Sequence, residues 1–335
     1  MTVFDLKQMI YEQGKCKHVL TQTADQGAIL IPERQTLYYN NVKLEFDHKS
    51  LRHYDIKAGA TIHLQDQGYQ IPLRLGKMVV YSGPIMAMAV YSGWHWDLYE
   101  FYEGADYVQD HYYDVVLYEE GYAQILAKYM ICLHFGKLLL ELLLIHRMAG
   151  RMVSLNRTLW QILFYWVAFG GFVSYTLFHP EYRYNFKVTN LQVDGTVYSL
   201  IAVALFIVGE VMSFMCHLHF SNMEEKMAAA VLQGAAQEKQ DYASRTRRSY
   251  IVNSISKFAI LKDFGFSLVT CADWMWELVA WVSIVMVIQT MSAYVFLVVW
   301  FVWHNSKARE RHWRYIAEYQ NDYPHDRRAF IPLLI

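Results

Sequence analysis

Residues 133–147 read Leu-His-Phe-Gly-Lys-Leu-Leu-Leu-Glu-Leu-Leu-Leu-Ile-His-Arg, and how this stretch is read decides the fold. It closes an apolar run, Tyr122–His146, that exceeds the roughly 20 residues a bilayer-spanning helix needs. Within the run, His134, Lys137 and Glu141 fall at i, i+3 and i+7, on one face of a helix. Ionisable groups are costly in such a setting, and costlier still if they are buried without partners. The pattern predicts a membrane helix whose polar face looks into a bundle.

Apolar runs of similar length recur at Lys77–Trp96, Thr158–Phe178, Val197–Phe220 and Leu278–Trp303, the last long enough to be a tight helical hairpin. A further stretch, Phe258–Trp276, is interrupted by Lys262, Asp263 and Asp273 and reads as a re-entrant segment or a poor span. Composition agrees: 55% of the chain is hydrophobic, and 18% charged is low for a soluble domain. The 26 Tyr and 10 Trp suit rings that line membrane interfaces. Residues 1–70 differ. Their apolar residues come in short runs broken by polar and turn residues, as in a small soluble α+β unit. The predicted architecture is a polytopic α-helical membrane protein of about six spans, with a small N-terminal α+β domain over 1–70 and a membrane-embedded helical domain over 77–335.

Charge gives an orientation. Asp97, Glu100, Glu103, Asp106, Asp110, Asp114, Glu119 and Glu120 lie between the first two spans, where there is no Lys or Arg. Basic residues follow the second span (Arg147, Arg151, Arg157), the fourth (Arg245, Arg247, Arg248) and the last (Lys307, Arg309, Arg311, Arg314). The positive-inside rule puts those segments and the N-terminal unit on the cytosolic side, or its matrix equivalent, which requires an even number of crossings. The N-terminus shows no basic region followed by an apolar core, so no cleavable signal peptide is expected. A net charge of −1 argues against nucleic acid as a partner. Cys16, Cys132, Cys216 and Cys271 are scattered without CxxC spacing, so they suggest neither a disulfide framework nor a zinc site, and no metal site is assigned. Ala228–Gln240 approaches low complexity and reads as an exposed loop or short helix.

Residues 37–64, LYYNNVKLEFDHKSLRHYDIKAGATIHL, resemble the second half of a ubiquitin-like fold, with Val3–Glu12 as its helix and the first β-hairpin missing. Further motifs extend a likeness over nearly the whole chain. These are Thr61–Ile71 (TIHLQDQGYQI), Tyr81-Ser-Gly-Pro84, the 133–147 block, Ser267–Glu277 (SLVTCADWMWE), the Arg311-His312-Trp313-Arg314-Tyr315 helix, and the closing Asp322-Tyr323-Pro324, Arg327 and Phe330–Leu333. One extra residue precedes Asp322. In these motifs the chain resembles the trans-2-enoyl-CoA reductases of very-long-chain fatty acid elongation, relatives of the steroid 5α-reductases.

The resemblance implies an integral membrane protein of the endoplasmic reticulum; the sequence itself leaves the mitochondrial inner membrane open as the alternative. It also implies NADPH as cofactor and a long-chain enoyl-CoA as substrate, reduced by hydride addition at the β-carbon and protonation at the α-carbon. Such chemistry needs a cation or acid near the thioester carbonyl and a water-shielded cavity. Lys137 matches the family's lysine and reads either as an electrostatic anchor or as half of a structural i,i+4 pair with Glu141. Glu210, Ser213 and His217 form a second one-face stripe. His217 matches the family, Ser213 stands where an Asn is usual, and Ser221, Asn222 and Met223 replace a phosphate clamp bearing Arg and Asp.

In Cys271–Glu277 the family pattern resembles CPNYxYE. Here Glu277 is retained, Asp273 replaces the Asn that would hold the nicotinamide amide, and Trp276 replaces the catalytic Tyr. An indole N–H donates a hydrogen bond but is no practical proton source. Either the chemistry is impaired, or another acid such as Tyr315 or Asp273 has taken over. His312, Tyr315 and Arg327 match cofactor-contacting positions, whereas Arg309, Arg311 and Arg314 read as a basic face on anionic headgroups.

Two functions stand side by side. One is an NADPH-dependent enoyl-CoA reductase with Lys137, Glu277 and the Trp276 position at the reacting centre, and with Ser213, His217, Asp273, His312, Tyr315 and Arg327 around the cofactor. The other is a catalytically inactive relative that binds no cofactor and serves as a structural subunit among other membrane proteins. A channel or transporter is disfavoured, because nothing resembles paired broken helices.

Overall fold

The computed structural model describes residues 1–15, 30–44, 47, 49–94, 101, 121–146, 151–179, 182, 195–234 and 260–332. The acidic residues from Asp97 to Glu120 lie outside them, as do Cys16, Arg147, Arg245, Arg247, Arg248, residues 235–240 and Leu333. The chain divides into two units, Met1–Gly76 with Arg147–Leu159 and Asn222–Ala259, and Lys77–His146 with Trp160–Ser221 and Ile260–Ile335.

The first unit opens with helix α1 (Val3–Lys15). The Thr2 hydroxyl caps it by accepting from Asp5 N, while the Asp5 carboxylate accepts from Thr2 N in return. Strands β1 (Gln35–Tyr39), β2 (Val42–Lys43) and β3 (His63–Asp66) form an antiparallel sheet in the order β2-β1-β3. Asn40 and Asn41, at φ 49° and 63°, make the two-residue turn between β1 and β2, the left-handed pair such a hairpin requires. Val3, Leu37 and Leu44 are its buried core. β4 (Gln70–Pro72) leads into helix α2 (Leu73–Gly93) and pairs antiparallel with β5 (Met152–Ser154). Arg151 pairs with Glu224 at 2.5 Å.

The second unit is helical. Besides most of α2 it holds α3 (Tyr122–Leu144), the larger parts of α4 (Leu155–Phe178) and α5 (Gly195–Gly234), and α6 (Ala272–Ile288) and α7 (Met291–Tyr319). Among the described residues two helical stretches, Leu155–Phe178 and Val197–Lys226, are long and apolar enough to cross a membrane. Residues Leu163–Val173 of α4 are π-helical, which brings Tyr165, Phe169 and Val173 together in the core. Trp281, Trp300, Phe135, Phe169 and Phe296 form the centre, with the Trp281 ring 5.2 Å from Phe169 and 5.8 Å from Phe135. Outward positions such as Leu140, Leu144, Phe172, Val208, Val211 and Val298 are exposed and apolar.

The hairpin expected within Leu278–Trp303 is there, but it begins earlier. Gln289 takes the left-handed conformation at φ 52°, and the Thr290 hydroxyl caps α7 by accepting from Ala293 N, so the turn falls at 289–290. Helix α6 therefore starts at Ala272, inside the stretch that read as re-entrant. Asp273 can sit in its first turn because a carboxylate there meets the positive end of the helix dipole. Irregular turns occupy the residues ahead of it, 260–271.

Gly209 sets the spacing of α5 against α6. A Cβ at this position would lie 2.8 Å from Ala280 N and 2.9 Å from Trp276 O, which only backbone movement could relieve. Small residues permit this approach between helices. Gly209→Ala is expected to destabilise the fold by about 1–3 kcal/mol, as overpacking does. Gly136→Ala, whose Cβ meets nothing within 4 Å, should be neutral or gain up to about 1 kcal/mol of helix propensity. Thermal unfolding of the detergent-solubilised variants followed by Trp fluorescence checks both.

Candidate functional site

Helices α3 and α5 face each other through their charged stripes, and the pairing alternates sign along them. Glu210 takes a bond from His134 Nδ1 at 2.6 Å on one carboxylate oxygen, and Lys137 Nζ lies 2.6 Å from the other. One to two turns on, His217 Nδ1 lies 2.6 Å from Glu141, whose second oxygen is 3.6 Å from Lys137 Nζ. Lys137 also donates to the Glu210 carbonyl at 3.3 Å. The i,i+4 pair with Glu141 therefore exists, but the tighter partner is Glu210, across the helix interface. Sequence spacing put both stripes on single faces; only the packing of α5 against α3 shows that each answers the other.

Because a carboxylate only accepts, the bond to Glu210 fixes the His134 proton on Nδ1. His134 Nε2 is then buried without a hydrogen-bond partner among the described residues, 3.9 Å from Glu277 on α6. Ser213 Oγ is likewise buried and unpartnered, one turn from Glu210. These groups sit against the aromatic core, with the His134 ring 4.9 Å from Trp281 and edge-on to it.

Asp273 and Trp276 are both engaged elsewhere. Asp273 is buried and accepts from Arg311 at 3.4 Å on each oxygen, and the Arg311 guanidinium lies over the Trp274 ring at 4.1 Å. The expectation that Arg311 lies on lipid headgroups is thus corrected: its charge is needed to match a buried carboxylate. Among the described residues, Arg309 and Arg314 remain on the exposed side of α7, with Arg314 bonded to Glu310. The Trp276 indole donates to the Phe264 carbonyl at 2.9 Å.

The tail is anchored by backbone and side chains together. Thr270 N donates to Arg328 O at 2.8 Å and Arg328 N to Leu268 O at 3.0 Å, so residues 327–329 run alongside the segment that enters α6. Arg327 is buried, donates to the Leu261 carbonyl and lies 5.6 Å from the Tyr323 ring. Thr270 Oγ1 is shared between His312 Nδ1 at 2.6 Å and Tyr323 OH at 2.5 Å. Burial pushes the Tyr323 phenol above its ordinary value, against the opposing pull of its Thr270 hydrogen bond and Arg327. Tyr315 is buried with its ring 5.8 Å from Tyr323.

Lys137, His217 and Glu277 thus belong to, or border, the α3–α5 cluster. His312, Tyr315 and Arg327 gather around Thr270 and Tyr323. The partners His134, Glu210 and Thr270 were not singled out as site residues, and only for His134 and Glu210 did helical spacing carry a signal.

The second unit is thus an apolar helical unit, with two stretches long and apolar enough to cross a membrane, that encloses a matched set of carboxylates, imidazoles and an ammonium. The sequence profile of 3-oxo-5-alpha-steroid 4-dehydrogenases matches residues 153–335. The chain belongs to that family. It is 23% identical over 284 residues to a very-long-chain enoyl-CoA reductase of Dictyostelium discoideum, covering 84% of this chain and 76% of the relative. It is 23% identical over 302 residues to the mouse trans-2,3-enoyl-CoA reductase-like protein, covering 88% and 72%. The human protein of that name is 21% identical over 289 residues, covering 86% and 68%.

Two outcomes follow. Glu210→Leu leaves the Lys137 ammonium with only its longer Glu141 contact and removes the acceptor of His134 Nδ1, and should cost about 3–5 kcal/mol, the penalty for half of a buried pair. The double variant Lys137→Met/Glu210→Leu should recover part of that loss in the same urea titration. Thr270→Val removes the shared oxygen of His312 and Tyr323, at about 1–3 kcal/mol for unsatisfied partners. It should be seen as faster tryptic cleavage after Arg327 and Arg328.

Proposed function

We propose that the chain reduces trans-2-enoyl-CoA to saturated acyl-CoA in very-long-chain fatty acid elongation, using NADPH, in the membrane of the endoplasmic reticulum. In this reading α2 to α7 are six spans, the apolar part of α7 ending near Trp303. The observation that carries it is the set of buried polar atoms without hydrogen-bond partners, His134 Nε2 and Ser213 Oγ, beside Lys137 and Glu277 in an apolar enclosure. Groups left unsatisfied at that depth are costly unless a polar ligand meets them.

The donor set suits a nicotinamide nucleotide in part. Arg327, whose Nε has no hydrogen-bond partner, and His312 are the candidates for phosphate; Ser213 and Glu277 are the candidates for the carboxamide. The nucleotide would supply the hydride to the β-carbon. Lys137 would hold the developing enolate oxygen electrostatically, as a fixed cation in a low-dielectric site. Proton delivery to the α-carbon falls to a group other than the Trp276 indole.

A second reading, a catalytically inert relative acting as a structural subunit of a membrane assembly, is favoured by one observation. Trp276 and Asp273, two of the departures from the family pattern, are both tied into intramolecular contacts, with Phe264 O and Arg311. Loss of nicotinamide absorbance on adding a long-chain trans-2-enoyl-CoA to the purified protein decides between them. The reductase reading expects turnover that falls by at least about 100-fold in Lys137→Ala, the scale of a lost electrostatic contact to the oxyanion. Absence of turnover across chain lengths supports the inert subunit.

A further inference from the structure

The C-terminal end of α3 does something that sequence spacing does not predict. His146 lies five residues after Glu141, and on a regular helix the two would point about 140° apart. Here the helix end widens: Ile145 N and His146 N both donate to the Glu141 carbonyl, each at 2.9 Å. The second bond spans five residues, a π-type closure, and it carries His146 back over the Glu141 turn. Ser221 Oγ on α5 donates to the Ile145 carbonyl at 2.8 Å, which fixes this end against the neighbouring helix. The result is that the His146 and His217 rings meet edge-on at 5.0 Å.

Glu141, His146 and His217 each present one ligand atom, and these atoms all lie within 4.8 Å of one another. Two imidazoles and a carboxylate form the donor set of many zinc centres, with nitrogen and oxygen ligands suited to a borderline divalent ion. Glu141 is buried, and its second oxygen has no hydrogen-bond partner. The nearest competing cation, Lys137, is 3.6 Å from that oxygen but is held more tightly by Glu210 at 2.6 Å.

From this geometry we infer that Glu141, His146 and His217 form a binding site for a divalent transition-metal ion of the zinc class. The ion replaces the proton that His217 Nδ1 shares with Glu141, and that proton leaves to solvent. Three protein ligands leave a fourth position open. The site joins the C-terminal end of α3 to the middle of α5, and it shares His217 with the reductase reading, so metal binding rather than turnover is the readout.

The test uses the full-length protein in detergent, stripped with chelator and titrated with Co(II), whose ligand-field absorption reports tetrahedral coordination. One equivalent per chain is expected, displaced by Zn(II). His146→Ala and Glu141→Gln should each weaken binding at least 10-fold to 100-fold, the range seen when even an outer-shell partner of a metal ligand is lost. Far-UV circular dichroism and gel-filtration elution confirm that each variant is folded; His146→Ala is the gentler one, since it alters only the helix end. No ligand-field band in the wild-type protein overturns the inference. So does a band of equal affinity in folded His146→Ala, which would mean that cobalt binds elsewhere.

Discussion

Glu210 is the residue on which the second unit turns. It brings one carboxylate into an apolar interface and divides its two oxygens between the His134 imidazole and the Lys137 ammonium of the helix opposite. Unmatched, any of the three would cost several kcal/mol at that depth. Matched, they set the rotation and height of α5 relative to α3. His217 and Glu141 then fall into register, and Ser213 takes its buried place between them. Apolar packing alone would tolerate a slide along the helix axis, because many arrangements bury similar area. A row of charge pairs tolerates far fewer.

The second constraint is steric. Gly209 adjoins Glu210, and its missing side chain lets the α6 backbone come within contact distance of α5. That proximity holds Glu277 near the unbonded nitrogen of His134. The tail contributes from the other side, running along residues 268–271 and holding the entry to α6 through Thr270 and Arg328. Three sequence-distant segments therefore converge on the first two turns of one helix.

Much of this was legible beforehand, for identifiable reasons. Helical periodicity put His134, Lys137 and Glu141 on one face and Glu210, Ser213 and His217 on another, because 3.6 residues per turn is a property of any helix. It did not show that the faces meet, since that depends on crossing geometry. Hydropathy misplaces the start of α6 because Asp273 looks like an interruption, whereas the dipole and Arg311 compensate its charge. Arg311 was read as lipid-facing for the same reason: a basic residue on a basic helix gives no sign that one carboxylate lies beneath it. The return of His146 over Glu141 was invisible, because it arises from a departure from regular helix geometry.

The bond from Trp276 to the Phe264 carbonyl bears on how this site can change. Residues 264 and 265 both adopt positive φ, and the indole that caps their turn reaches it with a nitrogen that a tyrosine ring does not carry in that position. A tyrosine at 276, the residue the family pattern calls for, would leave that carbonyl without its donor and the slot partly empty. Trp276→Tyr therefore removes a nitrogen donor from the 264–265 turn, so a change at 276 and the conformation of that turn are to be read as one coupled unit.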